Sequence, residues 1–109
     1  MPVEHRELAH GRWQLLSLAE QLGNIGSEVS RAAAWQGRDR ALYAAALDRA
    51  LELLDLTIAD PRHRVGRPEL TRVRELLAAA AYGGESYGTT LADLDRYFLA
   101  FALVARRGR

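Results

Sequence analysis

Cysteine is absent from the 109-residue chain. That excludes disulfides, thiolate catalysis and Cys-ligated zinc, and it fits a reducing cytosol. Lysine is absent too, since all 15 basic residues are arginine. Beside 19 alanines, this is the usage of a GC-rich genome. The functional alternative is Arg chosen for phosphate or carboxylate forks. Net charge is only +1, so whole-molecule electrostatics select no partner class. No run of about 18 apolar residues occurs, so no segment reads as a membrane span. The opening MPVEHRELAHGR has no apolar h-region and reads as no secretion signal, so the expected location is cytoplasmic. Strand-like alternation, internal repeats and low-complexity segments are also missing.

What is present has the helical period. The apolar share of 49% and the length suit one globular domain over 1–109. Residues 18–35 divide into three sectors at about 100° per residue. Leu18, Leu22, Ile25, Val29, Ala32 and Ala33 share one face. Ala19, Gly23, Gly26, Ser27, Ser30 and Ala34 form a second face of small residues. Glu20, Gln21, Asn24, Glu28, Arg31 and Trp35 fill the third. Each interior glycine costs about 1 kcal/mol relative to alanine, and close helix packing is the usual compensation. The small face therefore expects a second backbone, from this chain or from a second copy.

Start and stop signals predict four helices, over about 13–35, 39–59, 68–82 and 91–107. Ser17 and Glu20 form a capping-box pattern, although Trp13, Leu15 and Leu16 allow an earlier start. Asp39 or Gly37 opens the second helix and Asp60-Pro61 stops it. Pro68 suits the first turn of the third, and Gly83-Gly84 its end. Thr90-x-x-Asp93 opens the fourth, where Leu99, Leu103 and Val104 lie off the inward face as a second apolar strip. Residues 3–10 read as a short helical lead-in. With short loops between them, the expected fold is an all-α, up-down-up-down four-helix bundle.

The runs SLAEQLGNIGSEVSRA, ALDRALELLDLTIADPR, RVRELL and YFLAFALVARR resemble an uncharacterised family of short prokaryotic helical proteins. Leu18, Gln21, Asn24 and Ile25 give a weaker similarity to the S23-like four-helix bundle proteins, whose Asn-Ile-Ala-Glu-Gly signature is not reproduced. Relatives of that type form ring-like homo-oligomers, and some assist nucleic-acid enzymes. The resemblance implies an oligomeric accessory protein and carries over no catalytic residue.

Motifs that carry chemistry are sparse. Glu7 and His10 have the E-x-x-H spacing of a di-iron ligand pair, but a bundle site needs two such pairs and further inward Glu residues. Asp60-Pro61-Arg62-His63 imitates that spacing in a loop. His5 and His10 are five apart, not the four that aligns two zinc ligands. Arg6 to His10 is too short for the Arg-x4-6-His motif of HEPN-type ribonucleases. No nucleophile elbow or phosphate loop occurs. Arg62, His63, Arg64, Arg67, Arg72 and Arg74 make the densest charge feature. It reads as a solvated loop balanced by Asp48, Glu52 and Asp55, or as a phosphate-contacting patch. Arg106, Arg107 and Arg109 would join its pole in an up-down bundle. Trp13 and Trp35 suit core or interface anchoring more than base stacking.

These readings favour a non-enzymatic homo-oligomeric structural or adaptor protein with no cofactor. The expected interface comprises Ala19, Gly23, Gly26, Ser27, Ser30, Leu99 and Leu103. The alternatives are a nucleic-acid accessory role for Arg62, Arg64, Arg67, Arg72 and Arg74, and a HEPN-like or metal-binding enzyme.

Overall fold

The computed structural model describes residues 11–83 and 90–107, and says nothing of the side chains of 104–107. The described residues are all-helical, with no strand. The helices are α1 (Leu18–Trp35), α2 (Arg40–Ala59), α3 (Arg67–Ala78) and α4 (Leu91–Arg107). A 3-10 turn, Pro61–His63, connects α2 to α3, and a π-helical stretch, Ala79–Gly83, extends α3. The lead-in expected over 3–10 lies outside the described residues.

Local chemistry accounts for the boundaries. The Ser17 hydroxyl accepts from the Glu20 amide at 3.1 Å, and the Glu20 carboxylate accepts from the Ser17 amide at 3.0 Å. This reciprocal cap fixes the start of α1 at Leu18, not at Trp13. Trp13 instead closes a separate helical turn, and a bend at 14–16 parts it from α1. Asp39 caps α2 by accepting from the Leu42 amide at 3.0 Å. Between them Gly37 takes φ +77°, the left-handed conformation that ends a helix most easily at glycine. Thr90 and Asp93 repeat the capping box at α4. The third helix changes character before its predicted end. Its α-helical part stops at Ala78, and the π turns carry it to Gly83, where the Tyr43 hydroxyl donates to the Ala81 carbonyl at 3.3 Å.

The core draws on every helix. Ile25, Val29, Leu54, Leu77 and Phe98 are fully enclosed, with Leu22, Leu47, Leu70, Val73, Leu91 and Leu94 around them. Helices α1 and α4 come close at the two α1 glycines. A Cβ at Gly26 would stand 2.6 Å from the Phe98 Cβ, and one at Gly23 would stand 3.1 Å from the Ala102 Cα. The two glycines of the small face of α1 are thus seated on α4 of the same chain, and the pairing runs antiparallel. Gln21 meets Asp60 and Trp35 shares a groove with Leu42, so α1 and α2 are also antiparallel. The same holds for α2 and α3, since Arg67 reaches the Ile58 carbonyl and Ala81 reaches Tyr43.

Candidate functional site

The end of α2 and the start of α1 meet in a buried polar network. Asp60 is both the C-cap of α2 and the N-cap of the 3-10 turn. Pro61 forces an extended backbone on Asp60, which turns its carboxylate back onto the turn. There it accepts from the Arg62 amide at 3.0 Å and from the Arg62 guanidinium at 2.7–3.1 Å. The same guanidinium donates to the Leu16 carbonyl at 2.7 Å, tying the turn to the segment before α1.

Gln21 completes the network from α1. Its amide nitrogen donates to the Trp13 carbonyl at 2.8 Å and to Asp60 at 3.4 Å. Its amide oxygen stands 2.7 Å from His63 Nε2. An amide oxygen only accepts, so His63 Nε2 carries the proton in this contact. The Trp13 indole donates to the Thr57 hydroxyl at 2.9 Å, and that hydroxyl donates to the Leu53 carbonyl at 2.8 Å. Gln21 and Thr57 are fully buried, and Asp60 is 1% exposed. The hydrogen bonds from Arg62 hold the Asp60 carboxyl well below the usual carboxylate range, against the opposing cost of burial. These polar groups are spent on one another, which makes the network a latch across chain segments.

The network was not legible as a unit. Gln21 reads as part of the polar sector, and Asp60 as a helix stop. One signal was available: on the helical wheel Gln21 lies only about 20° from Ala32. Asn24 and Glu20, the other members of that sector, are not buried. Asn24 donates to the Glu20 carbonyl, and Glu28 pairs with Arg31 at 3.2 Å.

The arginines of the α2–α3 connection separate into two groups. Arg62 is held by Asp60, and Arg74 pairs with Asp55 at 2.6 Å. Arg64, Arg67 and Arg72 line an open depression of about 430 Å³ with Pro68, Thr71 and Glu75. Arg67 Nε donates to the Ile58 carbonyl, which fixes its base. The C-terminal end of α4 lies toward this pole, since Ala102 sits on Gly23 near the start of α1. The side chains of Arg106, Arg107 and Arg109 lie outside the described residues, as do Glu7 and His10. Among the described residues no group of three or more His, Asp or Glu is placed to hold a metal.

The residues expected at an interface fall into two sets. Gly23 and Gly26 are taken up by α4 within the chain. Ser27 and Ser30 are exposed and Ala19 is half-buried. On the outer side of α4, Leu99 is 56% and Leu103 is 48% exposed. No described helix is long and apolar enough to cross a membrane. No family model, curated protein or solved structure matches the chain.

Proposed function

We propose that the chain is a non-enzymatic oligomeric adaptor, an up-down-up-down four-helix bundle that works through its helix faces. The antiparallel α1–α2, α2–α3 and α1–α4 contacts support the bundle. One observation carries the functional reading. Helix α4 seats one face on α1 and leaves Leu99 and Leu103, one turn apart, in solvent. Apolar side chains aligned on one outer face mark association surfaces more than scattered ones do. The absence of cysteine makes a direct test available. Leu99→Cys and Leu103→Cys should each give a disulfide-linked dimer on mild oxidation. Val65→Cys, at a position 95% exposed in the α2–α3 connection, should stay monomeric. Equal cross-linking at all three positions would contradict an α4 interface.

A second reading rests on the depression lined by Arg64, Arg67 and Arg72. With Arg62 and Arg74 committed to carboxylates, these three line the depression with one carboxylate, Glu75, among them, and leave it a net positive charge for phosphates. If they contact nucleic acid, binding to a short duplex should weaken steeply with added salt. Arg64→Glu with Arg72→Glu should then abolish it. Absence of binding at about 50 mM salt would end this reading.

A further inference from the structure

Val65 and Leu15 are 95% and 84% exposed, more than any other large apolar side chain among the described residues. Both sit in turns, Val65 between the 3-10 turn and α3, Leu15 between Trp13 and the start of α1. The two turns belong to one pole of the molecule. The Arg62 guanidinium, three residues before Val65, donates to the carbonyl of Leu16, the residue after Leu15, at 2.7 Å. Arg62 is itself held by Asp60, so both tips stand on a fixed base. Tyr82, 71% exposed, lies at the opposite pole, where Tyr43 meets Ala81.

Positive charge surrounds the Val65 tip. Arg64 precedes it, Arg67 follows Gly66, and with Arg72 they line the depression on α3. Unlike Arg62 and Arg74, these three have no ion pair among the described residues. Glu75 is the one carboxylate of the lining, so the depression stays positive. Gly66 caps α3 without a side chain, which leaves the positive end of that helix on the same pole. Aliphatic tips beside unpaired guanidiniums match a surface that carries phosphates above an apolar layer. A nucleic-acid duplex has the phosphates but no such layer beneath them. A stable protein interface buries about 800 Å² per partner, more than two aliphatic side chains on turns supply. A lipid layer sets no such minimum, because it deforms around a convex tip.

We propose that this pole seats on an anionic lipid surface, with Val65 and Leu15 entering the boundary between headgroups and acyl chains and Arg64, Arg67 and Arg72 on the lipid phosphates. The proposal goes beyond the adaptor reading and does not depend on it. Vesicles of phosphatidylcholine with about 30% phosphatidylserine should sediment the protein, and pure phosphatidylcholine vesicles should not. Leu15→Ser with Val65→Ser, at exposed positions outside the core, should keep the helical circular dichroism and weaken binding by about tenfold. Arg64→Glu with Arg72→Glu should abolish it. The chain has no cysteine, so Leu15→Cys and Val65→Cys can each carry a single environment-sensitive dye. Its emission should shift to the blue on the anionic vesicles, and the same dye on Tyr82→Cys should not shift. Absence of sedimentation with the anionic vesicles, a serine variant that binds like the wild type, or equal shifts at all three positions would overturn the lipid surface. Binding to a short duplex without binding to vesicles would also overturn it, and would assign the arginines to nucleic acid.

Discussion

Asp60→Ala should cost about 3 kcal/mol at neutral pH, the largest loss expected from a single polar side chain here. The carboxylate joins four elements: the end of α2, the 3-10 turn, the start of α1 and, through Arg62, the Leu16 carbonyl. Removing one partner of a buried ion pair costs about 3–5 kcal/mol. The lower end applies, because the Arg62 side chain is 44% exposed and keeps its bond to Leu16. The depressed acidity of Asp60 adds a pH signature. Its folded-state value lies well below the ordinary 3.8, so its contribution is fully present above that value. It is lost as pH falls through the folded-state value. Urea denaturation at neutral pH and at progressively lower pH should therefore show the wild type losing stability faster than Asp60→Asn. Parallel curves for the two proteins would remove Asp60 from the account of acid unfolding.

Gly26→Ala should destabilise the fold although alanine is the better helix former. The propensity gain is about 1 kcal/mol. Against it stands a Cβ placed 2.6 Å from the Phe98 Cβ and 3.5 Å from the Phe98 carbonyl carbon. Those atoms are not the end of a flexible side chain. Phe98 is fully buried with its ring edge-on to Tyr97, so relief requires α4 itself to move. Overpacking of this kind costs about 1–3 kcal/mol, and a contact this short sets it toward the upper end, so the net loss is up to about 2 kcal/mol. The melting temperature should fall by up to roughly 10 °C. Gly23→Ala is the comparison. Its nearest neighbour, the Ala102 Cα at 3.1 Å, needs to yield only slightly. The two alanine variants should differ clearly, and equal melting temperatures would deny that Gly26 sets the α1–α4 approach.

The helical class and most boundaries were legible because they are local. Ser17, Asp39, Pro68 and Thr90 each act within one turn, and all four sit where the sequence puts them. The glycines of α1 announced a close neighbour, and the neighbour is α4. What stayed hidden depends on separation along the chain. Gln21 meets Asp60 across 39 residues and Trp13 meets Thr57 across 44. No periodicity encodes such pairings. The arginine pole was visible as composition, but its division required knowing that Asp55 faces Arg74.

Self-association through the outer face of α4 would show first in the mass of the protein in solution. Light scattering of the wild-type protein should give a multiple of the 12.1 kDa chain mass. Leu99→Glu with Leu103→Glu should return it to a single chain with its helical circular dichroism intact. A wild-type mass of one chain at every concentration measured, or an unchanged oligomer in the double variant, would rule out an α4 interface.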